Sequence, residues 1–585
     1  MTDGREIELK LRLMPEDLAR LSSTPPLISP ALDPPAAHRL ASVYFDTPDF
    51  ALARAGVALR VRSTGRGLVQ TVKTTGNRVG GLFDRPEWEI ALPGAEPDLD
   101  LAHLRATGLA PFADPALLGE LRPRFSTEIH RTTYRIGDTG AEEGGWEVEA
   151  ALDQGRVVAG EMSEPICELE FELVRGTPRR LFDLARQILE TVSARPLSFS
   201  KSERGVRVAC GDGLRPVKAR MPTLAPRQSV AEAFQTIARS CLDHLLANEQ
   251  CLLATGDGEA IHQMRVALRR LRSAIRVFHP VVDGPRLAEI AAEMRWLLEQ
   301  LGPARDAEVL QSEILAPVRE ARPEDQGLAA LDAAAGHELA GHLDTAIAAV
   351  RERRFAVLML DLGAWIESGD WREPPGNAAR TRLAAPITPF ALRRLGKMTR
   401  RLFRQGGGDL GRLSAEDRHE VRIRGKQARY AAEFFSALLP RKAVTPFLED
   451  LACLQGKLGK LNDLAVALPR LAALPVVDAS GAAERVAVWH QADKAALLGG
   501  LSHERRASGR NRRSCVVSCG LGGGTGGGSA VGAGKSPGGG RVAGDWLVAG
   551  AGRFGPGSGA GVGGAGRTGL RRGARVGFGR IASGL

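Results

Sequence analysis

The sequence predicts a multidomain chain: an N-terminal α+β domain built on an antiparallel closed β-barrel or tunnel, an all-α duplicated helical bundle, and a disordered Gly-rich tail. Three observations carry this reading. Over the first 205 residues, short stretches of period-two alternation follow one another, with few helical signals between them. From Gln228 the apolar period becomes helical, and a block of sequence recurs at a fixed offset. From Ala507 to Leu585 the chain holds 28 of its 69 glycines and no hydrophobic period, so no packed core can form there.

The first strand spans residues 5–14, and Pro15 then opens a short helix. Strand signals follow near 38–46, 57–63, 67–74 and 85–92, and a second cluster near 123–137, 145–153, 155–160 and 166–174 precedes a helix over 179–192. Within EIELK, Glu6, Glu8 and Lys10 share one strand face and Ile7, Leu9 and Leu11 the other. Like-signed pairs two residues apart recur at Arg60 and Arg62, at Glu87 and Glu89, at Glu147 and Glu149, and at Glu168, Glu170 and Glu172. An ordinary wet sheet face mixes Thr, Ser, Lys and Glu with little order. Several strands presenting all-acid or all-base pairs suit an enclosed site that holds a metal cation and a polyanion together, because a closed barrel lines one cavity from every strand.

Six stretches, in order, carry a resemblance: EIELK, YFDT at Tyr44–Thr47, LRVR at Leu59–Arg62, TVK at Thr71–Lys73, LDQG at Leu152–Gly155 and ELEFEL at Glu168–Leu173. Together they resemble a CYTH domain, the triphosphate tunnel metalloenzyme family, over residues 1–205. The resemblance implies metal-dependent hydrolysis of inorganic triphosphate or a related triphosphorylated substrate, although the family also includes adenylate cyclases. It implies Lys10, Arg60, Arg62, Lys73, Glu87, Arg131 and Lys201 as catalytic residues, and Glu6, Glu8, Glu149, Asp153, Glu168 and Glu170 as metal ligands. Arg39 and Glu89 join the expected lining. Carboxylates are hard oxygen ligands that suit Mg²⁺ or Mn²⁺, arginine forks grip phosphate oxygens bidentately, and lysine acts as a point charge. An acid opposite the basic cluster, Glu87 or Glu149, would orient the attacking water.

Residues 206–226 carry Gly and Pro and read as a linker. In the helical half, 227–506, the segment from His262 to Phe278 recurs from His419 to Phe435, an offset of 157, and LGPARD at Leu301 matches LGKLND at Leu458 at the same distance. Two repeats follow, about 227–380 and 381–506. In each, the basic positions step by three and four along one helix face, while Met264, Leu268, Leu271, Ile275 and Phe278 line the opposite, buried face. A solvated basic surface would give the same pattern in one helix; duplication favours a cationic groove. This half resembles a CHAD domain, a conserved-histidine helical module associated with inorganic polyphosphate. The resemblance implies polyphosphate binding through His262, Arg265, Arg269, Arg272, His419, Arg422, Lys426 and Arg429. A non-catalytic polyphosphate-binding adaptor is the alternative reading of the whole chain.

Of the formal charge of +11, the segment from Ala507 onward holds +10, with eleven Lys or Arg against Asp545 alone. Global basicity is therefore no argument for nucleic acid, and stacking aromatics are scarce on the basic faces. No apolar run approaches a membrane span, and the start lacks a signal-peptide pattern, so the expected location is cytoplasmic, with no membrane partner. The seven cysteines show no zinc-ligand spacing and read as packing residues. In the tail, GAGKS lacks the first glycine of a P-loop, which falls on Ser529. A shifted reading frame is one origin for residues 507–585, and a genuine basic tail the other.

Overall fold

The computed structural model describes residues 2–518, apart from 66, 95, 139–144, 406–408 and 476–480. Of the Gly-rich tail, residues 519–585 lie outside the described residues. Alternating sequence becomes strand where expected: β1 (Thr2–Arg12), β2 (Ala36–Asp46), β3 (Val57–Thr64), β4 (Gly67–Thr74), β5 (Asn77–Val79), β6 (Leu82–Leu92), β7 (Arg122–Asp138), β8 (Trp146–Ala159), β9 (Met162–Arg175) and β10 (Arg195–Pro196). They pair antiparallel in the order β10-β1-β9-β8-β7-β2-β3-β4-β6-β5, and β1 also pairs β6, which closes an eight-stranded barrel. The two strands expected at 145–153 and 155–160 are one, because β8 stays paired to β7 and β9 straight through Gly155.

The barrel is polar inside and apolar outside. Cross-strand partners point to the same face, so the pairs Glu6 with Arg85, Lys10 with Glu170, Asp153 with Arg131, Tyr44 with Arg60 and Lys73 with Glu87 place all these residues in the lumen. The alternate residues Leu9, Leu11, Val148 and Phe171 are buried on the outer wall, against helix α1 (Pro178–Thr191) and the helical half. On the other side Leu59, Val61 and Val72 are covered by Leu104, Phe112 and Leu118. Arg39 departs from the expected lining. It pairs with His130, one position off the lumen register, and is exposed on the outer face.

One end of the lumen is apolar, with Leu40, Tyr44, Phe125, Ile129, Val157 and Ile166 packed around Val208 of α2 (Lys201–Ala209). This helix extends into the segment read as linker. Its close seat requires glycine at 205, where a Cβ would lie 2.0 Å from the Phe125 ring.

The helical half comprises α3 (Val230–Thr255), α4 (Gly258–Val282), α5 (Pro285–Val309), α6 (Gln326–Arg351), α7 (Arg353–Ser368), α8 (Ile387–Gln405), α9 (Ala415–Phe434), α10 (Arg441–Ala472) and α11 (Ala482–Ser518), with shorter helices between. The starts of α8 and α9 follow those of α3 and α4 by the same 157 residues as the sequence repeat. Helix α11 runs to Ser518, past the expected end at 506. Met264, Leu268, Leu271, Ile275 and Phe278 are buried, as the helical period predicts. Cys241 and Cys251 are core residues, but Cys210 and Cys453 are exposed, which corrects the packing role expected for them. Among the described residues, no helix is long and apolar enough to cross a membrane.

Candidate functional site

The lumen divides into an acidic wall and a basic wall. On the acidic side, Lys73 donates to Glu6, whose second oxygen accepts from Arg85 at 3.0 Å. Arg85 also donates to Glu8 at 2.6 Å, and Glu8 takes Lys10 Nζ at 2.7 Å. Lys10 reaches on to Glu170. Arg131 forks onto Asp153 with bonds of 2.7 and 2.6 Å and also donates to Glu170. Burial pushes the Glu6 carboxyl up, but Lys73, Arg85 and Lys10 outweigh it and hold it below the usual range. Burial acts likewise on Glu170, and Lys10, Lys201 and Arg131 overcome it. Glu172 feels Lys73 alone among these cations, and burial, with Glu6 nearby, pushes it up to about 7.

On the basic side stand Arg60 and Arg62, beside Tyr44. The Arg60 Nε is buried without a hydrogen-bond partner, and its nearest carboxylate, Glu89, lies 4.0 Å from Nη2. Arg62 Nε has Ser42 Oγ at 3.4 Å, a weak contact. Burial, with Arg60 and Arg131 alongside, pulls the Arg62 guanidinium down to about 10. Tyr44 feels the same field: burial pushes its hydroxyl up, and Arg60 and Arg62 draw it below the ordinary value. Two half-buried guanidiniums, Arg60 held by Tyr44 but with its Nε unused and Arg62 only weakly engaged, suit an anion that brings its own acceptor oxygens.

Lys73 also pairs with Glu87 at 2.8 Å, and burial raises the Glu87 carboxyl despite that lysine. The expected ligand Glu149 lies on the lumen face of β8, opposite Glu172 and Arg135, and is half-buried. It stands apart from the convergent set Asp153, Glu168 and Glu170, whose oxygens lie within 4.8 Å of one another. Those three buried acids fit a divalent cation by donor type, and a cation, the ammonium of Lys201, already lies among them. Arg85 and Glu172 were not expected in the site. Arg85 was within reach of the sequence pattern, two residues before Glu87 on the same strand face.

In the helical half, the basic residues of α4 and α9 meet. Burial, with Arg422, Arg269 and Arg265 around it, pulls the Lys426 ammonium down to about 7. His262 is half-buried near Arg305 and Arg269. Arg265 lies 3.7 Å from Asp306, and Asp463, its counterpart in the second repeat, bears on Arg422 and Lys426. Arg272 lies further along α4, beside Arg276 and Arg295. The second repeat is less open. Arg429 is engaged by Glu433 at 2.7 Å and Gln455 at 3.3 Å, and the exposed His419 has Asn462 at 3.3 Å. Arg305 joins this cluster without having been expected.

A family model described as CYTH domain matches residues 4–206, and one described as CHAD domain matches residues 236–472. An inorganic triphosphatase of Haemophilus influenzae is 37% identical over 166 residues, 28% of this chain and 45% of that protein, so the matched segment spans less than half of the relative. An uncharacterized protein of Mycobacterium tuberculosis is 28% identical over 422 residues, 68% of this chain and 75% of the other. Among solved structures, the CHAD domain from the plant Ricinus communis is 27% identical and covers 52% of this chain and 96% of its own, with a TM-score of 0.37.

Proposed function

From a chain that is a CYTH domain followed by a CHAD domain, we propose an inorganic triphosphatase that works with Mg²⁺ or Mn²⁺ in the barrel and holds polyphosphate on the helical half. The observation that carries the reading is the division of one closed lumen into half-buried arginines with unused donors, Arg60 and Arg62, and a wall of convergent carboxylates.

Arg60 and Arg62 grip terminal phosphate oxygens, and Lys73 and Lys10 add point charge along the chain of phosphates. Glu6, Glu8, Asp153, Glu168 and Glu170 would hold the cation, which when bound neutralises phosphate charge and supplies a Lewis acid. Glu87, held at a raised pKa beside Lys73, accepts a hydrogen bond from the attacking water and orients it. The apolar end under α2 keeps bulk water from that side of the lumen. In the helical half, His262, Arg265, Arg269, Arg272, Arg422 and Lys426 form the polyphosphate grip, with His419 and Arg429 at its edge. The barrel shares its segment of similarity with a protein named as an inorganic triphosphatase, which supports the choice of substrate.

The test is phosphate release from triphosphate with Mg²⁺. We expect turnover by the wild-type chain and a loss of about a hundredfold or more in Glu6→Gln and Lys73→Ala. Inactivity of the wild type on triphosphate, ATP and thiamine triphosphate would contradict the proposal. The adaptor reading draws on one observation, the saturation of Asp153, Glu168 and Glu170 by Lys201, Arg131 and Lys10. It predicts polyphosphate retention without turnover.

A further inference from the structure

The cations that neutralise the acidic wall come from two kinds of element. Lys10 and Arg131 belong to barrel strands. Lys201 does not. It is the first residue of α2, and its ammonium lies 2.7 Å from Asp153 and 2.8 Å from Glu170, with Glu168 also in contact. The same helix sends Arg204 to Glu164 at 2.8 Å and to Glu168 at 3.3 Å, and Arg207 to Glu164. Residues 201, 204 and 207 thus form one basic face laid against the acids of β9. The N-terminus that positions Lys201 is fixed by a capping box, in which Ser200 accepts from the Glu203 backbone and the Glu203 carboxylate accepts from Ser200 N at 2.9 Å. Arg78 of β5 braces the turn through Ser198 O at 2.9 Å and Glu203 at 2.7 Å.

We propose that Lys201 is the resident counter-ion of Asp153, Glu168 and Glu170, and that a divalent cation binds these acids only by displacing the Lys201 ammonium, so that α2 sets the metal affinity of the lumen. The proposal rests on the reading that the barrel takes a divalent cation. An ammonium within hydrogen-bond distance of three buried carboxylates uses the same oxygens an incoming ion needs. A second cation placed among them would meet a like charge a few ångströms away in a poorly screened interior. Because Lys201 rides on a nine-residue helix, the ammonium can withdraw as that helix shifts or its side chain changes rotamer, while the strand carboxylates stay in place. The freed ammonium is then available to the substrate's phosphates.

The experiment is Mn²⁺ binding to the full chain without substrate, followed by the electron paramagnetic resonance signal of free Mn²⁺. Lys201→Met keeps the length of the side chain and removes its charge, and should bind Mn²⁺ about tenfold tighter or more than the wild type. Lys201→Arg keeps the charge and should show no such gain. Should Lys201→Met not fold, Glu203→Ala decides. It loosens the cap of α2 and leaves Lys201 and its three acids in the chain, and tighter Mn²⁺ binding supports the proposal. Equal or weaker binding in Lys201→Met, or in Glu203→Ala where that variant decides, overturns it while leaving the metal reading of the barrel standing. Absence of Mn²⁺ binding from every protein overturns both.

Discussion

Lys426 is the residue at which the two sequence repeats become one electrostatic site. Alone on its helix it would be an ordinary lysine, but α4 brings Arg269 and Arg265 against it, and burial with these neighbours lowers it to about 7. Above that pH the unliganded protein carries this amine largely neutral. A polyanion favours the charged form, so binding takes up a proton, and affinity falls as pH rises from about 7 toward the ordinary lysine value of 10.5. Calorimetry of polyphosphate binding at pH 8, in buffers of different ionisation enthalpy, should report uptake approaching about one proton, lost in Lys426→Met. The residue scale is also where the sequence was least complete. Period two places Glu6, Glu8, Lys10, Arg60, Arg62, Lys73 and Glu170 correctly, since each lies in a clean alternation. Arg39 fails because nothing in its neighbourhood fixes which of His38 and Arg39 faces inward, and a slip of one reverses the face. Arg85 escapes the pattern because it opens the expected strand 85–92 and is opposite in sign to Glu87 and Glu89, whose face it shares.

At the scale of elements, α2 joins the chemistry of the lumen to its closure. Its basic face meets the acids of β9, and its apolar face, with Val208, fills the end of the barrel. Gly205 faces the Phe125 ring so closely that an added methyl cannot fit without moving the helix. Gly205→Ala should therefore cost about 2 kcal/mol by overpacking, read from urea unfolding, despite alanine's better helix propensity. A stabilised protein would mean the helix is not seated as described. The helix signal is present in the sequence as Ser200 followed three residues later by Glu203, the capping-box pattern, but the glycines and prolines of 206–226 read as a linker. The sequence reading likewise splits β8, between 153 and 155, where the sheet pairs it on both sides without a break. The long helices were legible because their apolar period and their duplication at 157 residues agree.

At the scale of the whole molecule, the segment 206–226 marks a change of composition, yet the two halves share a hydrophobic core. Leu9, Leu11 and Phe171 of the barrel wall, Phe182 of α1, and Phe234, Met359 and Trp365 of the helical half belong to a single buried cluster. The backbones themselves touch there: a Cβ on Gly80 would lie 2.8 Å from Met359 O, and one on Gly363 would lie 3.3 Å from Gly80 Cα. Arg195 of β10 crosses to Glu249 of α3 at 3.0 Å and to Val350 O at 2.7 Å. Sequence could separate the domains by period and composition, but the contact between them is a matter of shape, which neither pattern encodes. Barrel and bundle should accordingly unfold together, as one calorimetric transition whose van't Hoff and calorimetric enthalpies agree, whereas two resolved transitions would contradict a shared core. The central claim, that the lumen holds a phosphate chain between Arg60 and Arg62 on one wall and a metal-bearing set of carboxylates on the other, is tested most directly by anomalous diffraction from a crystal soaked with triphosphate and Mn²⁺. The account predicts phosphate density against Arg60 and Arg62 with a manganese peak at Glu168 and Glu170. Triphosphate bound only outside the barrel, with no manganese in the lumen, would contradict it.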